Sequence, residues 1–276
     1  MSIQLRPSDD MTVSKIRIGR MPALVVRPKR PAPNPPGVLW IHGGGYIIGM
    51  KEMVYMSRAM DLVRDFGAVV VAPGYRLAVL HPYPAAIDDC TAALLYLREH
   101  AADLGFRSDQ IMVGGESAGG GLAAAVCIRA RDEGKVNIAF QMPLYPMLSN
   151  LDTESSRDNH GKMWNTKLNH LGWKLYLRDD AKREVSPHAS ASRETDYSGL
   201  PPCYTFVGDG EPFYRETLDY VAALAQAGVP AAVDVYHTDV HGFDMISPNK
   251  DISVAARAAF RAQCAFAVEH YFAENG

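Results

Sequence analysis

No apolar run in this chain approaches the ~20 residues that a membrane-crossing helix needs, and no cysteine has another close by in sequence. The four cysteines, Cys90, Cys127, Cys203 and Cys264, form no CxxC pair, so neither a disulfide framework nor a cysteine-based zinc site is expected. Three of them sit in apolar segments, the ordinary setting of a buried free thiol, and a reducing cytoplasm is the expected compartment. Basic clusters are missing as well. The formal charge is -3, and the most basic stretch, Arg27 to Arg30, is short and interrupted by proline. Nucleic-acid binding needs Lys and Arg gathered on one surface and is not expected. The opening MSIQLRPSDD turns acidic where a secretory signal continues into an apolar run, so no export signal is expected. His42, His81, His160 and His170 make no HExxH or other compact ligand series, and no metal or other cofactor is expected.

What is present suits one large domain spanning all 276 residues, with 47% apolar and 21% charged residues, enough to bury a core without staples. Val13 to Gly19 and Pro22 to Arg27 carry β-branched residues around a short turn and predict an antiparallel pair. The proline-rich run Pro28 to Pro36 is a surface connection that joins no ladder. GVLWIHGG, AVVVAP (Ala68 to Pro73), QIMVGG (Gln110 to Gly115), NIAFQMPLYP from Asn137 and PCYTFVG from Pro202 read as buried parallel strands. AAVDVYH, Ala231 to His237, alternates like an outer strand.

Helices are predicted over Met53 to Phe66, Ala85 to Ala102, Ser117 to Arg131, Glu216 to Gln226 and Ile252 to Phe272. Alternation of this kind implies a mostly parallel sheet with helices on both faces. The stretch Leu148 to Glu194 is long and polar, with Trp164, Trp173 and Tyr176 but no buried-strand run. Together with about the first 12 residues it is expected to form a cap over the site. The terminal helix has two open roles, covering the sheet edge or joining a second copy of the chain.

Gly115-Glu116-Ser117-Ala118-Gly119 is a G-x-S-x-G pattern between a predicted strand and a predicted helix, the context in which a nucleophilic serine projects from a sharp turn. GGESAGGGLA superficially resembles a dinucleotide loop, but it lies deep in the chain rather than at the first βα turn. His42-Gly43-Gly44-Gly45 follows another strand, and its glycines let amides turn inward. The N–H groups of Gly43, Gly44 and Ala118 are the expected donors to an oxyanion, and His42 is expected to brace their loop. His241, in a loop after the last strand, is the expected base; His237, within that strand, competes with it. VGDGEPFYRE offers Asp209, Glu211 and Glu216 as the acid. Glu211 is preferred and Asp209 stays a rival, the order Ser117, Glu211, His241 being that of an α/β-hydrolase.

Taken together, HGGGYIIG at His42, YRLAVLHPYPAAIDD at Tyr75, GGESAGGGLA at Gly114 and HGF at His241 resemble the bacterial hormone-sensitive lipase family of α/β-hydrolases. The resemblance implies the α/β-hydrolase fold: an eight-stranded, mostly parallel sheet flanked by helices under a small helical cap. It also implies hydrolysis of short-chain carboxylic esters without a cofactor. Gly43, Gly44 and Ala118 match the family's oxyanion positions, Glu116 matches the residue flanking the nucleophile, and Asp88 and Asp89 match an acidic pair expected to anchor nearby loops. Glu211-Pro212 stands where the family usually has Asp-Pro, which supports Glu211 over Asp209. The usual YRLAPEHP reads YRLAVLHP, with Val79 and Leu80 in place of Pro and Glu.

The expected function is therefore serine carboxylesterase activity on a small-molecule ester of short to medium acyl chain. An amidase or deacylase using the same residues is the enzymatic alternative. A non-catalytic ligand-binding protein on the same scaffold is the other, and it predicts loss of a nucleophile or base that this chain retains. A cap bearing Met163, Trp164 and Trp173 suits an apolar or aromatic substrate, although packing explains each residue singly.

Overall fold

The computed structural model describes residues 8–178 and 184–272. Eight strands make one sheet: β1 (Met11–Ile18), β2 (Met21–Pro28), β3 (Gly37–Ile41), β4 (Val69–Pro73), β5 (Ile111–Glu116), β6 (Phe140–Leu144), β7 (Cys203–Gly208) and β8 (Ala231–Tyr236). Their spatial order is β1-β2-β4-β3-β5-β6-β7-β8. β2 pairs antiparallel with both β1 and β4, and the remaining pairs are parallel.

Strand alternation divides the apolar residues between two cores. Leu39, Ile41, Val69, Val71, Ile111 and Val113 enter one core, where they meet α2 (Ala85–Glu99), α4 (Ala118–Glu133) and α6 (Tyr214–Gln226). Val38, Trp40, Val70, Met112 and Met142 enter the other, beneath α1 (Ala59–Phe66) and α8 (Asp251–His270). Sheet residues buried on both faces explain the uniformly apolar runs of β3 and β4. The exception on β6 is satisfied: the buried Gln141 donates to the Pro201 carbonyl at 2.8 Å and accepts from the Tyr220 hydroxyl at 2.8 Å. Leaving such a group unpaired typically costs about 1–3 kcal/mol.

Four expectations need correction. The helix predicted over Met53 to Phe66 is a 3-10 turn at Lys51–Met56 followed by α1. The break falls at Ser57, whose hydroxyl donates to the Val54 carbonyl and accepts from the Ala59 N–H, replacing helical bonds with local ones. The helix predicted to reach Ala102 stops at Glu99, and α3 (Ala101–Leu104) begins after a non-helical His100. Ser117 precedes α4 rather than belonging to it. Met11 and Thr12, expected in the cap, are ladder residues of β1 paired with Pro28 and Arg27; residues 1–7 and 179–183, also expected in the cap, lie outside the described residues.

In the insertion after β6, α5 (Thr166–Leu177) is capped by the Asn165 side chain, which accepts from Leu168 N–H. The terminal helix α8 covers a sheet face, burying Phe260, Cys264 and Ala267. All four cysteines are buried free thiols. Among the described residues, no helix is long and apolar enough to cross a membrane.

Candidate active site

The loops that leave β3, β5, β7 and β8 meet at the carboxyl end of the parallel sheet, the usual meeting place of functional groups in such folds. β5 ends at Glu116 and α4 starts at Ala118, so Ser117 alone turns the chain. Its φ of 57° and ψ of -121° lie where non-glycine residues are strained, typically by about 1–3 kcal/mol. Surrounding bonds hold the turn: Ser117 N–H donates to Leu144 at 3.0 Å, and its carbonyl accepts from Gly121 and Met147. Close packing helps too, since a Cβ at Gly119 would lie 2.1 Å from the Ile41 carbonyl oxygen.

The Ser117 Oγ lies 2.8 Å from His241 Nε2, and His241 Nδ1 lies 2.5 Å from Glu211 Oε2. The other oxygen of Glu211 accepts from Gly208 N–H at 2.7 Å. A carboxylate only accepts, so Nδ1 carries the hydrogen and Nε2 is left to accept from the serine hydroxyl. Glu211 is fully buried. Burial raises its pKa while the neighbouring His241 pulls it back down. The imidazole also meets two rings nearly at right angles, Tyr145 at 5.2 Å and 81° and Phe213 at 5.0 Å and 71°.

The rival residues pair with each other. Asp209 binds the exposed His237 at 2.8 Å and accepts from Thr238 N–H; the pair raises the pKa of His237 and lowers that of Asp209. Glu216, the third acid offered by that segment, is buried and accepts from Leu148 N–H at 2.6 Å and Ser149 N–H at 3.3 Å. Burial pushes its pKa up to about 8.

Beside Ser117, a Cβ at Gly43 would lie 2.9 Å from the Glu116 carbonyl oxygen and 3.2 Å from the Ser117 Cβ. Gly44, at φ +118°, takes a conformation that other residues rarely adopt. Among the described residues, the N–H groups of Gly43 and Gly44 make no backbone hydrogen bond, and Ala118 opens α4, where the first N–H groups have no partner within the helix. His42 lies behind them, buried and pushed down to about 4 by burial. Its Nδ1 donates to the Gly43 carbonyl at 2.8 Å. Its ring stacks on Tyr75 at 4.2 Å, and the Tyr75 hydroxyl donates to the His42 carbonyl.

Glu116 turns away from the bend. Both its oxygens accept from Trp40 Nε1, at 3.0 and 2.9 Å, and burial, aided by the charge of Asp244, pushes its pKa up to about 8. Asp89 grips Arg76 through both oxygens and also accepts from Arg76 N–H. Asp88 pairs with Arg129 of α4 at 2.7 Å. Val79 and Leu80 are exposed. Trp164 and Trp173 are buried, whereas Met163 is half exposed. Tyr176 stacks on Tyr46 at 4.2 Å, and Trp173 leans on the same ring at 5.2 Å.

A family model described as alpha/beta hydrolase fold matches residues 38–245, the span that holds every residue of this site. The chain belongs to the α/β-hydrolase family. Its resemblance to the bacterial hormone-sensitive lipase branch is supported by the same match and by named relatives. Carboxylesterase NlhH of Mycobacterium tuberculosis is 32% identical over 240 residues, 85% of this chain and 75% of that protein. An arylesterase of Saccharolobus solfataricus is 32% identical over 211 residues, covering 75% of this chain and 67% of its own. Among solved structures, a bacterial heroin esterase superposes with a TM-score of 0.86 at 34% identity, over 93% of this chain and 83% of that one.

Within this α/β-hydrolase, Tyr145, whose ring meets His241, and two buried residues linked to it were not singled out from sequence. The Tyr145 hydroxyl donates to Asp244 Oδ1 at 3.0 Å, and Arg58 Nε lies 3.1 Å from Asp244 Oδ2. The signal available was slight: an acid three residues after His241, and a tyrosine that ends an apolar strand.

Proposed function

We propose that this protein hydrolyses carboxylic esters through an acyl-enzyme, with Ser117 as nucleophile, His241 as general base and acid, and Glu211 as the group that orients and charge-stabilises the histidine. The observation that carries this reading is the unbroken chain Ser117 Oγ–His241–Glu211, at 2.8 and 2.5 Å. The named esterases among the relatives support it.

In the first half-reaction Ser117 Oγ attacks the ester carbonyl carbon while His241 Nε2 takes its proton. The carbonyl oxygen gains negative charge facing the N–H groups of Gly43, Gly44 and Ala118; one such donor typically contributes ~3 kcal/mol to transition-state stabilisation. His241 then gives its proton to the departing alkoxide, and the acyl group stays on Ser117. In the second half-reaction water attacks the acyl carbon, its proton passes to His241, and the acid leaves as Ser117 is reprotonated. Glu211, anchored by Gly208 N–H, keeps Nδ1 protonated and favours the imidazolium that forms in each half-reaction.

His42 is read as a brace for the glycine loop, Glu116 as a support for the bend, and Asp88 and Asp89 as anchors of the segment after β4. Residues 148–194, with the N-terminal residues before β1, are read as a cap. The same proposal places short to medium acyl esters in the site and the protein in the cytoplasm. Ile48 is exposed beside Gly44, which supports an apolar acyl group there. The buried free thiols suit a reducing compartment.

A panel of p-nitrophenyl esters from acetate to palmitate, run beside matched anilides, tests the reading. Turnover of butyrate esters that Ser117→Ala abolishes is expected. Activity confined to anilides, or to long-chain emulsions, overturns it.

A further inference from the structure

A hydrogen bond at Nδ1 pins one point of an imidazole and leaves the ring free to tilt about it. In the resting site the second nitrogen is held by Ser117 Oγ, but that contact is given up when the oxygen attacks. Whatever then keeps Nε2 aimed, first at the leaving group and later at the attacking water, must come from the walls. Two rings stand nearly perpendicular to His241, Phe213 and Tyr145, and their fixation differs. The Phe213 ring has no polar tether and is held by packing. Tyr145 is held by a chain of polar contacts that crosses from one face of the sheet to the site.

Tyr145 is fully buried and follows β6 with a φ of +32°, an unfavourable conformation for a tyrosine. Its N–H donates to the Phe206 carbonyl at 2.9 Å, and its ring meets Phe206 at 5.5 Å and 70°. The phenol donates to Asp244 Oδ1 at 3.0 Å. Asp244 is itself fully buried and lies in the short helix α7 (Phe243–Ile246), which starts directly after His241-Gly242. The second oxygen of Asp244 faces Arg58 Nε at 3.1 Å, and Arg58 NH1 binds Asp61 at 2.7 Å. A carboxylate buried this deeply needs such a partner. A tyrosine on a strained backbone, tied to a charged pair whose acid follows the histidine by three residues, is a costly arrangement for packing alone.

We propose that Tyr145 and Asp244 are positioning residues for His241: Asp244, held by Arg58, fixes the Tyr145 phenol, and the Tyr145 ring holds the imidazole plane while Ser117 Oγ is engaged with substrate. The proposal rests on the reading of His241 as the base. Tyr145→Phe keeps the ring and removes its tether. It is expected to lower kcat and the rate of covalent labelling by an organophosphate together, about tenfold, with KM near that of the parent, since small displacements of a catalytic group are expensive; the melting temperature falls as well, because buried Asp244 loses a donor. Tyr145→Leu removes the ring itself and is expected to lose about a hundredfold in both rates. A purely structural role moves the melting temperature and leaves both rates alone; that result in Tyr145→Phe overturns the proposal, as does a change confined to KM. Should Tyr145→Phe fail to fold, Asp244→Asn is judged by the same two rates. An unsubstituted protein that the organophosphate does not label at Ser117 refutes the catalytic reading, whereas equal labelling of parent and Tyr145→Phe refutes this inference alone.

Discussion

Two acid–histidine pairs join the segments that follow β7 and the end of β8. Asp209 meets His237 at 2.8 Å and Glu211 meets His241 at 2.5 Å. The His237 side chain is 99% exposed and that of His241 12%, while Glu211 is fully buried. Asp209 and His237 hold each other in water, where Coulomb attraction is screened and such pairs contribute little. Glu211 and His241 hold each other under cover, and the free side of the imidazole finds a serine hydroxyl. Proximity of an acid to a histidine therefore says little by itself. Burial of the acid and a third group on the far nitrogen separate a reactive arrangement from a surface contact.

The contrast can be broken most violently at its third member. Ser117→Ala is expected to lower kcat about 10⁶-fold and to abolish organophosphate labelling, read by intact-protein mass spectrometry. Glu211→Gln should follow, with kcat down about 10⁴-fold as the amide presents the wrong hydrogen-bonding partner to Nδ1; steady-state assays with a nitrophenyl ester measure it. A loss below about tenfold there, joined to a large loss in Asp209→Asn, reverses the assignment of the acid.

Burial without a histidine partner gives a third, smaller effect. Glu116 is held at about 8 against an ordinary value of 4.5, so between those values the native protein keeps a proton that the unfolded chain releases. Its contribution to stability is complete below pH 4.5 and is lost as pH rises through about 8. Glu116→Gln is expected to flatten the fall in urea midpoint between about pH 5 and about pH 8. An unchanged slope in the variant counts against a protonated Glu116. The smallest effects belong to the exposed pair: Asp209→Asn and His237→Ala should each leave kcat/KM within about twofold of the parent.

Most of the sheet was legible because parallel strands covered on both faces must be apolar throughout, and the runs at Val38, Val69 and Ile111 could be little else. The site motifs were legible for a related reason. A nucleophile on a one-residue bend needs glycines around it, and an oxyanion loop needs glycines within it. What escaped sequence reading depends on side chains meeting across the fold. The hydroxyl of Ser57 breaks a helix whose apolar periodicity is sound. Met11 and Thr12 enter a ladder that only their partners Arg27 and Pro28 define. Tyr145, Asp244 and Arg58 come from three distant segments, and no spacing links them. Between Asp209 and Glu211, spacing alone left the choice open; the path of the loop, which brings Glu211 Oε1 onto Gly208 N–H, separates them in space.

The bend at residue 117 sets durability against reactivity. Its main-chain angles are ones in which glycine rests at ease and serine does not, so a chain carrying glycine there should outlast its parent on heating while turning over nothing. A search for hardier versions of this protein that screens only for survival will tend to discard the one oxygen the reaction needs.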